Sequence, residues 1–396
     1  MATVQHNHLD TAFTTGVVLI AAMIAGFVWA NSPWQDIYRT VHHLPVHIRL
    51  GPIQLDRPLV WWVNEGLMVF FFLLVGLGIK REMVSGHLSS WRMIAIPAVA
   101  ALSGMIAPAV VFLAFVGGDP VLQAGWAIPT ATDIVLVLGL LAFLGDRVPV
   151  LIKVFLTALA IFDDIGAVLV IGVFYGHGFQ IAPLLLAAGT LMIAAVWLRL
   201  WQFSWTVLII LGLILWVAIL QAGVEGAIAG ILIALLVPFE RGKPVRGQPL
   251  AELEIALKPW VFWGVVPIFA LFNTGINIAS LSWPDLLQPV TLGILFALLI
   301  GKPLGIVGAV MIMDRLGLSI RTDTLGWRHI VGAGLLAGVG FTISVFIASI
   351  AFDDPALVVT AKLAILLASS TAGLLGLAVL TSRRHNSRFK SGTGPT

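Results

Sequence analysis

Two adjacent aspartates, Asp163 and Asp164, lie in the middle of the apolar run Leu159-Ala160-Ile161-Phe162-Asp163-Asp164-Ile165-Gly166-Ala167. A charge at the centre of a bilayer costs about 2.5–3.5 kcal/mol on insertion scales, so both acids call for a use. Neighbouring residues on a helix point about 100° apart, and the pair therefore needs protein or water over a wide arc. A buried carboxylate can hold a proton or a hard cation, and does not easily hold both. That exclusion is the elementary step of an exchanger. The competing reading, a structural ion pair, requires only one acid.

Other residues converge on the same chemistry. Pro129-Thr130-Ala131-Thr132-Asp133 interrupts an apolar run; proline lacks a donor and displaces the carbonyl four residues earlier, that of Gly125. A helix broken there frees carbonyls and threonine hydroxyls, hard-oxygen ligands for sodium, and exposes half-helix ends with partial charges. Gly332-Ala333-Gly334 and Gly338-Val339-Gly340-Phe341-Thr342, with Ser344, give a later run the same kind of interruption, although such glycines also serve as close-packing faces. Lys302, in Gly301-Lys302-Pro303-Leu304-Gly305, lies mid-span, too deep to snorkel easily. It can partner Asp163 or Asp164, or neutralise the C-terminal ends of broken half-helices, while Asp133 does the complementary work at N-terminal ends. Pure stabilisation of the fold and direct proton carriage are both open to this lysine. Glu65 and Glu82 lie near the two ends of one run, Glu225 within another, and Lys362 near a segment end, where it is expected to snorkel.

The setting is a membrane. Of 396 residues 59% are hydrophobic and 10% charged, and mean hydropathy is +1.04, more apolar surface than a soluble core can hide. Runs of spanning length appear near 12–31, 59–79, 93–116, 121–144, 150–175, 180–198, 204–220, 222–238, 259–279, 288–313, 328–351 and 356–381. They predict an all-α membrane protein of twelve helices, residues 1–396 forming one transmembrane domain. The broken fourth and eleventh spans sit at the middles of spans 3–5 and 10–12, the pattern of inverted-topology repeats. Basic residues concentrate in alternate loops and in the tail 382–396, and only Arg39, Arg49 and Arg57 fall on the opposite side. By the positive-inside rule both termini are cytoplasmic. The polar N-terminus, Met1 to Thr15, holds no arginine or lysine and does not read as a cleavable signal. On the outer side, loop 32–58 carries His47-Ile48-Arg49-Leu50 and Ile53-Gln54-Leu55-Asp56 around Gly51-Pro52. This is a candidate β-hairpin that a second subunit could complete; a solvated loop at the membrane surface is the alternative. Cysteine is absent, which excludes disulfides and thiolate chemistry. No metal-ligand histidine pair, phosphate loop, cofactor motif or nucleic-acid patch occurs among the nine histidines or elsewhere.

At these residues the sequence resembles the NhaA-type sodium/proton antiporters of bacterial inner membranes. The matching stretches are Gly76-Leu77-Gly78-Ile79-Lys80-Arg81-Glu82, Gly125 to Asp133, Ile161-Phe162-Asp163-Asp164, Gly301 to Gly305 and Gly338-Val339-Gly340-Phe341-Thr342. The resemblance implies twelve helices with helices four and eleven crossed, and a homodimer joined partly through an outer hairpin. It implies electrogenic exchange of Na+ or Li+ for H+ across the inner membrane, supporting pH and sodium homeostasis. It assigns Na+ to Asp163, Asp164 and Thr132, places Thr132 and Asp133 at the crossing beside Gly338, Gly340 and Thr342, and turns Lys302 to the site. Glu82, Glu225 and Glu254 belong by likeness to the pH response, Glu254 in a loop before Lys258-Pro259-Trp260. Two departures stand out: Gly78 where a glutamate is common, and Glu225 where a histidine is. Both predict a shifted or flattened pH profile, with transport retained because no core carboxylate is missing; an unchanged profile in Gly78→Glu would count against that position.

Other classes fit less well. A sodium-coupled symporter of an organic anion would want more polar residues at mid-membrane. An intramembrane aspartyl protease needs its acids on facing helices, and a cation channel needs rings of acids.

Overall fold

The computed structural model describes residues 2–50, 53–85, 91–145, 148–176, 180–200, 203–239, 248–280, 282–318 and 325–382. Among these residues nine helices are long and apolar enough to cross a membrane: Phe13–Ala30, Leu59–Val84, Ala95–Val116, Pro120–Leu144, Val150–Phe174, Ile181–Leu198, Pro249–Asn273, Pro289–Arg315 and Pro355–Thr381. The pair Trp327–Ala337 and Phe341–Ala351, bent by 40° at its break, makes a tenth. Two shorter apolar helices, Trp205–Gln221 and Ala227–Leu236, pack with them. The arrangement is that of a protein solvated by hydrocarbon. Ile181–Leu200 buries Ala187, Thr190 and Ala194 against its neighbours and exposes Ile181, Leu185, Met192 and Ile193.

Two expected spans are differently bounded. The ninth begins at Pro249 rather than near 259 and stops at Asn273, with a π-helical turn at Val261–Val265 following Pro259. Proline at the first helical position starts a helix well, and the wider turn absorbs the second proline without ending the span. Glu254, expected in a loop, therefore sits on a helix. The eighth span contracts to Ala227–Leu236, because residues 222–226 form a turn in which Gly223 adopts φ of +77°. The turn Gly51-Pro52, the basic residues Arg147, Arg241, Lys243, Arg246 and Arg321, and the tail from 383 onward lie outside the described residues.

Close contacts at glycine hold the bundle. A Cβ on Gly230 would lie 2.3 Å from the carbonyl oxygen of Val69, and one on Gly76 would lie 2.7 Å from the Ala234 side chain, so Ala227–Leu236 rests directly on Leu59–Val84. Without a hydrophobic drive between helices in lipid, this proximity supplies the packing energy. Gly230→Ala is expected to destabilise the protein by about 1–3 kcal/mol, because backbone must move. Gly78→Ala, where nothing lies within 4 Å, is expected to be neutral or mildly stabilising. Thermal unfolding in detergent that ranked the two equally would remove the argument.

Among the described residues the one sheet is a two-stranded hairpin. Pro45–Leu50 pairs antiparallel with Ile53–Pro58 in the register Val46 to Arg57 and Ile48 to Leu55. Across it the Asp56 carboxylate accepts from His47 Nδ1 at 2.8 Å and Arg49 Nη2 at 3.3 Å. The His47 hydrogen bond, followed by the Arg49 contacts, holds the Asp56 carboxyl below its ordinary range.

Candidate functional site

The site is made where two interrupted helices cross. In Pro120–Leu144 the chain runs as a 3-10 helix over Ala124–Thr130, turns extended at Ala131 and resumes as an α-helix at Ile134–Leu144. In the other, Trp327–Ala337 stops at Gly338 and Phe341–Ala351 begins after Gly340. The extended segments meet: the Asp133 amide donates to Val339 O at 2.7 Å, and the Thr132 hydroxyl lies 2.9 Å from Ala337 O. Glycine is required at the meeting point, since a Cβ on Gly340 would lie 3.0 Å from Ala131 O and one on Gly338 would lie 2.5 Å from Leu298 O.

Each end of the crossing has a counter-charge. Asp133 Oδ1 accepts from Leu136 N and Oδ2 from Thr342 N, both at 3.0 Å, so one carboxylate caps the N-termini of two half-helices. Lys302 Nζ donates to Thr130 O at 2.6 Å, at the C-terminal end of the 3-10 segment. These match the signs of the half-helix dipoles. Lys302 follows a π-helical stretch, Ala297–Gly301, and is pressed inward because Gly301 and Gly305 meet the backbone of Pro108 and Ser103. It is fully buried.

The aspartates complete the constellation. Asp163 is fully buried; its Oδ2 lies 3.0 Å from Lys302 Nζ and 2.5 Å from Thr132 Oγ1. The Thr132 hydroxyl has one proton and faces two acceptors, Ala337 O and Asp163 Oδ2, so a proton or cation at Asp163 Oδ2 would complete the pairing. Asp164 is 5% exposed, within electrostatic reach of Asp163, Asp133 and Lys302. Asp163 Oδ1, Asp164 Oδ1, Thr342 Oγ1 and Ser344 Oγ are buried without a hydrogen-bond partner. Buried polar atoms rarely stay so, and all four are hard oxygens.

A match to the family described as Na+/H+ antiporter 1 covers residues 6–380. The chain belongs to that family. The protein described as Na(+)/H(+) antiporter NhaA of Maricaulis maris is 44% identical over 366 residues, 92% of this chain and 90% of that one. The protein of the same description from Serratia proteamaculans is 41% identical over 384 residues, 96% and 98% of the two chains. Among solved structures, that of the sodium proton antiporter MjNhaP1 from Methanocaldococcus jannaschii aligns over 96% of this chain with a TM-score of 0.49 and 13% identity.

In this member of the antiporter family the residues read as pH-linked lie away from the crossing. Glu254 accepts two hydrogen bonds from Arg81 Nη1, at 2.7 and 2.8 Å, and pairs with Lys258 at 2.8 Å. Glu82 is 3.7 Å from Arg81. Glu225 is half-buried beside Glu65, whose Oε2 accepts from Gly226 N at 2.9 Å. Sequence reasoning missed that pairing; it noted both acids without bringing them together. It also expected Lys362 to snorkel, whereas its Nζ donates to Asn273 Oδ1 at 2.9 Å. The end of the Pro249–Asn273 helix offers an acceptor at that depth.

The double cap at Asp133 carries a prediction. Asp133→Ala is expected to destabilise the protein by about 2 kcal/mol or more, since one cap alone is worth about 0.5–2 kcal/mol. Asp133→Asn keeps one oxygen and should lose less. Equal losses in thermal unfolding would sink the capping account.

Proposed function

We propose that the chain exchanges sodium, or lithium, for protons across the bacterial inner membrane, and acts as a transporter rather than an enzyme. The observation that carries this reading is the buried pair Asp163 and Asp164 beside Thr132 at the crossing, with carboxylate oxygens that have no protein partner. Sodium takes the carboxylates and the Thr132 hydroxyl; a proton displaces it on the same oxygens. Binding one cargo expels the other, and moving the site from one face to the other completes the exchange. Gly338, Gly340 and Thr342 shape the second wall, and Asp133 and Lys302 compensate the broken ends. Net movement of charge makes the exchange electrogenic and supports pH and sodium homeostasis.

With the two shorter helices taken as spans, twelve segments cross the membrane. Spans 3–5 and 10–12 then form inverted repeats with the broken helices at their centres, and the sidedness of the basic loops puts both termini in the cytoplasm. The hairpin is then periplasmic, and pairing with a second copy gives a homodimer. Glu82, Glu225 and Glu254 set the pH response.

The test is sodium-evoked dissipation of a proton gradient in everted vesicles or proteoliposomes across about two pH units around neutrality, with lithium and potassium as comparisons. Response to sodium and lithium but not potassium is expected. Silence at every pH would turn the assignment toward sodium-coupled symport.

A further inference from the structure

At the end of the bundle away from the basic loops lies a cavity of about 270 Å³. Its walls come from four elements: the foot of the first helix, the short helix Gln35–His42, the stretch Phe272–Asn277 and the start of Pro355–Thr381. On Gln35–His42 the residues Gln35, Tyr38, Arg39 and His42 recur at helical spacing on the inner face, and His43 follows. Lys362 enters from the opposite wall.

We propose that this cavity binds one tetrahedral oxyanion, a phosphate or sulfate group, between Arg39, His42, His43 and Lys362. Four side chains able to carry positive charge converge there, and no carboxylate is among the lining residues. Asp36, next in sequence to the lining residue Gln35, is exposed and is not among the lining residues. On the hairpin, by contrast, Arg49 and His47 are both paired with Asp56. Like charges gathered without a counter-charge repel, and an anion is the partner that removes the repulsion. Donors remain for it: Lys362 Nζ uses one of its three in Asn273. His42 Nε2 donates to Phe272 O at 2.7 Å, which leaves Nδ1 to take up a proton.

His42 gives the arrangement a pH signature. Burial, then the positive charges of Lys362 and His43, push its imidazole down to about 4. The groups facing it are Tyr38, His43, Lys362 and the Phe272 ring and carbonyl. A bound anion reverses the electrostatic part of that shift and raises the His42 pKa. By linkage the anion then binds more tightly as pH falls, approaching tenfold per pH unit between the free and bound values of His42, and least at alkaline pH. The volume suits a single oxyanion with attached water, not a whole lipid. At the membrane surface the same chemistry can come from a lipid headgroup phosphate or from the free ion.

The experiment uses the full-length protein in nanodiscs of zwitterionic lipid, with inorganic sulfate exchanged for chloride at constant ionic strength. Sulfate keeps its charge through the range, so any pH dependence belongs to the protein. A saturable rise in thermal midpoint is expected, half-maximal in the millimolar range and at lower concentration at acid pH. It should fall at least several-fold in sensitivity in Arg39→Gln, an exposed residue whose loss leaves the fold intact, and vanish in Lys362→Met. An equal response in Arg39→Gln, His42→Gln and wild type, or a rise that never saturates, is a bulk salt effect and overturns the proposal. Nanodiscs containing phosphatidylglycerol separate the sources: an abolished sulfate response identifies a lipid phosphate as the occupant, and an unchanged one identifies the free ion.

Discussion

Everted vesicles carrying Asp164→Asn are expected to show no sodium-evoked proton movement at any pH. Asparagine keeps the shape and one oxygen of the side chain but removes the charge that sodium and the proton compete for. The loss of one charged partner from a buried site costs about 3–5 kcal/mol, at least a hundredfold in sodium affinity at 1.4 kcal/mol per decade. Asp164 Oδ1 is buried without a hydrogen-bond partner, so the fold should tolerate the change and the variant should reach the membrane at normal levels. Normal expression with normal exchange would move the site away from this carboxylate. Asp163 is a poorer probe, because Thr132 and Lys302 both lean on it.

The second large effect concerns Lys302. Replacing it by methionine strips Asp163 of its 3.0 Å partner and Thr130 O of its donor, leaving a buried carboxylate uncompensated. A loss of about 3–5 kcal/mol in stability follows. Adding Asp163→Asn removes the stranded charge, so the double variant should recover most of that loss. The thermodynamic cycle separates two roles that the lysine could hold. Recovery says that its cost is that of a broken pair. A double variant as unstable as the single would assign the stability to the Thr130 contact instead.

The chemistry was more legible than the boundaries. Asp163 and Asp164 could be picked out because any charge inside an apolar run of that length is conspicuous, and Asp133 because it follows closely on a proline that interrupts one. Their contacts were not readable from spacing alone, since Thr132 and Ala337 are 205 residues apart; the repeat pattern pointed to the two broken spans, and the resemblance placed them across one another. The start of the Pro249–Asn273 helix was missed because Glu252, Glu254 and Lys258 look like loop charges; in the fold Glu254 turns inward to Arg81. Lys362 and the Glu65–Glu225 pairing were missed for one reason. Hydropathy reports the depth of a residue in a membrane and is silent about which neighbour shares that depth.

Asp133 gives the crossing a mechanical property. Its two oxygens are only a carboxylate's width apart, and each is committed to a different half-helix. Neither Ile134–Leu144 nor Phe341–Ala351 can tilt beyond the tolerance of a hydrogen bond without uncapping itself, and a shift of the carboxylate to follow one uncaps the other. The two half-helices are riveted through a single side chain. Any rearrangement that keeps both caps must carry them as one lever, with its fulcrum a few ångströms from the aspartates it would expose.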